Sequence, residues 1–532
     1  GLDIDDRAVQ LARFALLMKA RGDDRRILDP ENPVRLNVLA FQNSKGLDIE
    51  QITATLLKER TKSLTGGQHQ LSFVPQPARQ LPLATTEKPE VTPEELYTLL
   101  HVFEHAKTFG SLLRIHDKLK AALPRLEKLL EKAGRADGMS AMYTEMLMPL
   151  VRQAQFLARQ YDCVVANPPY MGSKGQNPTL KAHAKDNFQD SKADLFAMFM
   201  ERGFELLTEH GLAGLITMQS WMFLSSYEAL RVAILSNSTI MSMLHLGAKG
   251  FDSISGEVVQ TTAFIASAKH QNAYKGSYFR LIEGKSEAEK IAQFNTNSAL
   301  RYTASATDFT KIPGSPIAYW IKPNEIELFC KSHLLSDVAF PKKGMDTGCN
   351  ALFLRLWHEV SQKKTSIWSY CKWYPYSKGG EYRKWYGNRT YVVNWEHNGK
   401  DIHEYNKVPM NYNGAPVRAK KFYFKPGYTW TTVSSGGFSA RFIPGGSIFD
   451  NGGCTLFSNQ HIHVYGSLLN SSIALRYLSL LSPTLNFQPG DIGKIPVVDN
   501  LISLHIEERA NKLIELGKTD WDFQEISWDF GK

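Results

Sequence analysis

The sequence predicts an α/β chain: a mostly parallel sheet flanked by helices, interrupted by an all-helical block and followed by a β-rich, mixed α+β domain. Three observations carry this. Apolar strand-like runs alternate with amphipathic stretches between residues 161 and 325, the alternation of a parallel sheet. Residues 92–160 read as helix almost throughout. From about residue 330 the text changes to short β-like pieces broken by turns such as SSGGF and IPGGS. At 532 residues, with 43% hydrophobic and 22% charged side chains, the chain can bury several ordinary globular cores. No run of 18 apolar residues occurs, so neither a membrane span nor a membrane partner is expected. The five cysteines are scattered without metal spacing, which points to no metal and a cytoplasmic setting.

Each element follows from local pattern. GLDIDDRAVQLARFALLMKARGDD reads as a strand end and an amphipathic helix, with Val9, Leu11, Ala12, Ala15, Leu16 and Met18 on its apolar face. PVRLNVLAF (33–41) is a second strand, closing a first segment, 1–45. Residues 65–93, rich in Gly, Pro and polar side chains, form an excursion. Thr92, Pro93, Glu94 and Glu95 make a helix start, so 46–160 is a mostly helical insertion.

In 161–325, YDCVVA is a buried strand and 172–193 a loop. DLFAMFMERGFELLTEHG is a helix ended by Gly211, and LAGLITM a strand. WMFLSSYEALRVAILSNS is a helix, while SMLHLG and VVQTTAFIASA are strands. Residues 326–532 form the β-rich domain, whose last part reads as helix, loop and strand.

The chemistry concentrates in YDCVVANPPYMGS (161–173). Two consecutive prolines donate no backbone N–H, so the strand ends and a stiff loop stands at its carboxyl end, where open α/β sheets bind ligands. A planar exocyclic amine has two N–H donors and a lone pair delocalised into its ring. Making it a nucleophile requires two acceptors and exclusion of water. The Asn167 side-chain oxygen and the Pro168 carbonyl are such acceptors, Pro168 and Pro169 hold them rigid, and Tyr170 presents a flat stacking face. A proline-rich turn capped by Asn is the plainer alternative.

Charge is concentrated elsewhere. Residues 340–430 hold 16 Lys and Arg against 6 Asp and Glu, while the chain as a whole carries +9, so the remainder is nearly neutral. The window is also rich in tryptophan and tyrosine, which fits phosphate neutralisation with base stacking. Lys342, Lys343, Arg383, Lys384, Arg389, Arg418, Lys420 and Lys421 are the candidate DNA contacts, with Arg383 and Arg389 favoured for base edges because guanidinium pairs bidentately with guanine. A β domain with aromatic core and solubilising lysines is the alternative.

With Asn-Pro-Pro-Tyr in place, the sequence resembles the S-adenosylmethionine-dependent amino-methyltransferases that act on adenine N6, which implies a Rossmann-like methyltransferase sheet. The resemblance implies that Asp3 in GLDIDDRAV hydrogen-bonds the ribose of the methyl donor. Asp194 and Phe199, in the DLFAMF block, would wall the same pocket, with Phe196 where tyrosine is more usual; a place in the helix core is the equal alternative for both. The Gly-rich loop expected about 20 residues before Asp3 is not in the chain. The expectation is that a natural amino-terminal portion with the first strand has been removed, and that the donor binds this fragment poorly.

NPPYMGSKG, the helical insertion, SISGEVVQTTAFIA, KGMDTGCNALFLRLWHEV and LNSSIALRYLSLLSPTLNFQPGDIGKIPV together are similar to the large adenine-specific methyltransferases of bacterial BREX phage-defence systems. The last two blocks are also similar to target-recognition domains of single-chain restriction-modification enzymes. The resemblance implies site-specific methylation of an adenine flipped out of double-stranded DNA, marking host DNA as self, with 1–45 and 161–325 as methyltransferase and 326–532 as recognition domain. Phe251 would pack on the extruded base. Other phage-defence proteins are candidate partners of the insertion, and an acidic phage inhibitor of the basic face. Left open are a restriction enzyme with its nuclease in the absent portion, a non-catalytic DNA-binding scaffold, and methyl transfer to protein glutamine or RNA guanine.

Overall fold

The computed structural model describes residues 1–34, 36–65, 91–135, 138–252, 259–296, 300–365, 371–482, 485–498, 501–502 and 505–530. Most of the predicted 65–93 excursion, and residues 253–258 of the SISGEVVQTT segment, lie outside these. The chain forms two compact units, one of residues 1–218 with 263–269, the other of 219–262 with 270–532.

The first unit holds strands β1 (Leu2–Asp3), β2 (Leu39–Ala40), β3 (Tyr161–Ala166) and β4 (Leu207–Met218). Its helices are α1 (Asp6–Asp23), α2 (Ile49–Thr65), α3 (Pro93–Val102), α4 (Ala106–Phe109), α5 (Asp117–Ala133), α6 (Met139–Ala158), α7 (Pro178–Asn187) and α8 (Leu195–Glu205). β1 and β2 pair in parallel, Asp3 opposite Ala40, with α1 between them in the chain. The Asp5 carboxylate starts α1 by accepting from the N–H groups of Arg7 and Ala8, both at 2.8 Å. The predicted apolar face of α1 is not buried in this unit: only Val9 is, while Leu11 and Phe14 are 69% and 63% exposed. Arg13 of α1 donates to the Val38 carbonyl beside β2.

The stretch read as helical folds as helices α3 to α6 between Pro93 and Ala158. Thr92 and Glu95 make the reciprocal capping box at α3. Along α5, Leu119, Ala122, Leu123, Leu126, Leu130 and Ala133 share one helical face and pack with Leu147, Leu150, Val151 and Ala154 of α6.

Three expectations in this unit are corrected. β3 is no buried strand: it is hydrogen-bonded in parallel to β4 along one side, and Val165 is 78% exposed. Residues 172–193 are not a loop, because Asn177 caps α7 and its inward side chains Leu180 and Ala184, with Phe188, pack against Leu112 and Met198. Three apolar anchors in a polar stretch are too few for a visible period. Finally, α8 ends at Glu205 and Gly211 lies within β4. There the β3–β4 register shifts, and a Cβ on Gly211 would stand 2.8 Å from the Tyr161 carbonyl oxygen, so glycine serves a close backbone approach.

The second unit contains α9 (Glu228–Asn237), β5 (Thr239–Gly247), β7 (Gly276–Arg280) and β8 (Arg301–Ala304), β6 being Thr261–Ser267 at the division between units. β5 and β7 are parallel, and β8 returns antiparallel to β7. The helix expected from Trp221 begins only at Glu228, preceded by two short turns that buried Arg231 ties down through the carbonyls of Trp221 and Leu224.

Further along are two four-stranded sheets. One orders Phe340–Lys342, Thr455–Phe457, Gly427–Trp430 and Ala440–Ile443, all antiparallel. The other orders Leu354–Leu356, Tyr391–Asn394, Trp373–Ser377 and Ile448–Phe449, its last pair parallel. Tyr428, Trp430 and Leu456 of the first sheet form a core with Tyr465, Leu469 and Tyr477, which lie on two consecutive helices where one was expected. The turn signals hold: Gly437 and Gly446 both take positive φ.

Candidate active site and nucleic-acid interface

Asn167-Pro168-Pro169-Tyr170 leaves the carboxyl end of β3 as predicted. Pro168 is buried and anchors the turn, whereas Asn167 and Pro169 are exposed. Tyr170 is half-buried, its hydroxyl a long 3.5 Å from the Asn167 Oδ1, and its ring lies at 84° to that of Phe196 in a T-shaped contact with centroids 6.0 Å apart. Burial pushes the phenol pKa up, keeping the hydroxyl a neutral donor.

The segment after the motif is held from α8. Asp194 Oδ1 accepts from the Met171 N–H at 2.9 Å and from the Phe196 N–H at 3.2 Å. The Leu195 N–H donates to the Met171 carbonyl at 3.0 Å, and the Ser173 N–H to that of Ala193 at 3.1 Å. Asp194 is 8% exposed, and burial raises its pKa against the pull of these donors. It caps α8 and anchors the loop that follows the motif. Phe199 is committed to packing, against the apolar cluster of Leu112, Leu180 and Phe188.

Asp3 ends β1 and is exposed, its Oδ1 accepting from the Asp5 N–H at 2.9 Å. No hydrogen bond joins it to Asn167–Tyr170 among the described residues. Phe251 is half-buried in the second unit. Three cavities of about 640, 430 and 350 Å³ in the first unit involve α1, β2, α5, α6 and the approach to β3, and none is lined by the tetrapeptide.

α8 is itself moored by arginines that sequence reasoning passed over. Arg202, buried, donates to the carbonyls of Ser111, Leu113 and Leu157. Arg114 pairs with Glu201 and Glu205, donates to the Asn187 carbonyl at 2.6 Å, and lies 4.2 Å over the Phe188 ring.

The basic window divides by what its charges touch. Arg383 donates to Asp520 and stacks over Trp521 at 5.1 Å; Arg389 donates to Tyr386 and lies 5.7 Å over Trp528. Both arginines favoured for base edges thus hold the segment around the helix Ile506–Asp522. Lys384 donates to the Asn470 carbonyl and Lys420 to that of Met410. Arg418 buries its Nε without an acceptor. Lys342 and Lys421 lie over the Phe422 ring at 5.6 and 5.4 Å, and Lys343 reaches Gln488 at 3.4 Å. Lys421 is exposed.

Much of the aromatic content proves to be core: Tyr376, Trp395 and Trp430 are buried, while Tyr382, Tyr405 and Tyr412 are exposed and open to stacking. Residue type alone does not separate the two sets. Among the described residues no group of His, Cys, Asp and Glu is placed to hold a metal ion, and no helix is long and apolar enough to cross a membrane.

Comparison with known proteins places these features. Residues 1–251 match the model of the Eco57I restriction-modification methylase family. The whole chain is 44% identical over 540 residues to the adenine-specific methyltransferase BrxX of Escherichia coli O9:H4 (strain HS), covering 43% of that protein. It is 35% identical over 560 residues to the adenine-specific methyltransferase PglX of Lacticaseibacillus casei (strain Zhang), again covering 43%. The chain therefore spans less than half the length of these curated relatives. Among solved structures, the type IIL restriction-modification enzyme MmeI in complex with DNA aligns with a TM-score of 0.42 and 13% identity, over 70% of this chain and 51% of that one.

Proposed function

Since this chain is a relative, along all its length, of two adenine-specific methyltransferases, we propose that it is part of a site-specific DNA N6-adenine methyltransferase that marks host DNA as self in a BREX-type defence system. The observation that carries the reading is the placement of Asn167-Pro168-Pro169-Tyr170. A buried proline anchors an exposed amide at the carboxyl end of a parallel strand, beside a half-buried tyrosine in T-shaped contact with Phe196. In duplex DNA the adenine amine is paired and stacked, so the base must leave the helix to be methylated. Tyr170 then stacks on the extruded ring, and Asn167 Oδ1 and the Pro168 carbonyl accept the two amine hydrogens, drawing the nitrogen lone pair out of the ring. The two prolines keep those acceptors from relaxing.

S-adenosylmethionine, when bound, supplies a methyl group already activated on a sulfonium. Asp3 suits its ribose, because the carboxylate stands exposed at the carboxyl end of a strand and Oδ2 is not used by the turn that engages Oδ1. The basic residues of 340–430, Lys342, Lys343 and Lys421 foremost, neutralise phosphates of the duplex. The test is methyl transfer by the intact protein together with mapping of modified adenines in cells. Asn167→Ala is expected to lower turnover about 100-fold, the scale for removing one preorganised hydrogen-bonding group, with DNA affinity unchanged. Undiminished methylation by Asn167→Ala, or none by the unaltered protein, overturns the proposal.

A further inference from the structure

We propose that Asp194 is a positioning residue for the catalytic tetrapeptide, holding Tyr170 through the Met171 backbone instead of binding the methyl donor; this rests on the methyltransferase reading above. One carboxylate oxygen does two things. It accepts from the N–H of Met171, the residue that follows Tyr170, and from the N–H of Phe196, whose ring makes a T-shaped contact with that of Tyr170. The peptide before the clamp and the aromatic that props the tyrosine are therefore referred to a single atom.

The surrounding backbone repeats the connection. Gly172 forms an antiparallel bridge with Asp194, and the Leu195 and Ser173 N–H groups close the pairing on either side. Loop 171–173 is thus laid against 193–195 and cannot shift without α8. That helix cannot shift easily either, because buried Arg202 donates to three carbonyls of the helical insertion and of α6. With the residue 8% exposed and its backbone bridged to Gly172, Asp194 offers little surface to a ribose or an adenine. The family resemblance implies a place for Asp194 in the wall of the cofactor pocket; its hydrogen bond runs to the backbone directly after Tyr170.

An ordinary helix cap makes no such connection. Asn177 accepts from the Leu180 N–H at 2.8 Å at the start of α7, with no bond to the tetrapeptide, and serves as control. Asparagine at 194 keeps an acceptor oxygen and is as good a cap as aspartate, whereas alanine keeps neither property.

The experiment measures amide hydrogen exchange at Met171 and steady-state methyl transfer in the intact protein for Asp194→Ala, Asp194→Asn and Asn177→Ala. Asp194→Ala is expected to raise Met171 exchange about 10-fold and to lower kcat by a similar factor, with KM for S-adenosylmethionine within about two-fold, as loss of a charge-assisted backbone hydrogen bond predicts. Asp194→Asn restores both, and Asn177→Ala changes neither. Unchanged Met171 exchange in Asp194→Ala overturns the clamp. A KM for the donor raised equally by alanine and asparagine, with kcat intact, shows a donor ligand and overturns the positioning role. An unaltered protein that transfers no methyl group fails the methyltransferase reading itself, whatever the exchange shows, and takes the catalytic role of Asp194 with it.

Discussion

Arg383 and Asp520, 137 residues apart in the chain, meet at 2.6 Å, with the guanidinium also stacked over Trp521. A residue chosen from its surroundings in sequence as a reader of bases is thereby occupied by the protein's own carboxylate. The carboxylate is 68% exposed, so solvent screens the pair and its worth is modest. Arg383→Ala and Asp520→Ala should each lower stability by about 0.5–1 kcal/mol, the double variant costing no more than the worse single one. Denaturant midpoints and base-substitution profiles of the bound site check this. Altered base preference in Arg383→Ala but not Asp520→Ala restores Arg383 as a reader.

Lys342, Lys343 and Lys421 have no acidic partner among the described residues, which leaves them the better phosphate contacts. Replacing all three with alanine should flatten the plot of log binding constant against log salt by about 2–3, close to 0.9 for each phosphate no longer neutralised, with site preference unchanged. Titrations at several salt concentrations give the slope, and an unaltered slope removes these lysines from the interface.

Gly211 should tolerate no side chain, because its missing Cβ faces a backbone oxygen at 2.8 Å across the β3–β4 irregularity. Gly211→Ala is expected to cost about 1–3 kcal/mol, the range for forced overpacking. Gly490→Ala, where a Cβ meets nothing within 4 Å, should stay within about 0.5 kcal/mol of the unaltered protein. Thermal melts compare the two.

His245 predicts a pH dependence. Its ring is 3% exposed and spans Tyr319 Oη at 2.9 Å and Gln219 Oε1 at 2.7 Å. Because Gln219 Nε2 donates to Gln260, its Oε1 accepts from His245 Nε2–H, and Nδ1 accepts from the tyrosine. Burial, with Arg280 and Lys290 nearby, pushes the imidazole pKa down to about 3. The unfolded chain takes up a proton below about pH 6.5 that the folded one refuses, so this contribution is complete above 6.5 and is lost as pH falls toward 3. By pH 5 the loss amounts to about 2 kcal/mol. His245→Phe lowers stability at neutral pH but should show a correspondingly shallower decline from pH 7 to 5 in urea unfolding. Equal declines would clear His245 of the effect.

Local chemistry made much of this protein legible. The double proline that ends β3, the Thr92–Glu95 cap, the heptad-like leucines of α5 and the positive-φ glycines each act on neighbours a few residues away, so their consequences are written where they stand. Tertiary structure alone decided the rest. It set the helix Pro178–Asn187 within 172–193 on three buried side chains, moved Gly211 from a helix end into β4, engaged Arg383 and Arg389 in intramolecular stacking, and joined Asp194 to the Met171 N–H. Those outcomes depend on partners distant in sequence, and a charge or an aromatic ring looks the same in the chain whether it will face a phosphate or a tryptophan of its own fold.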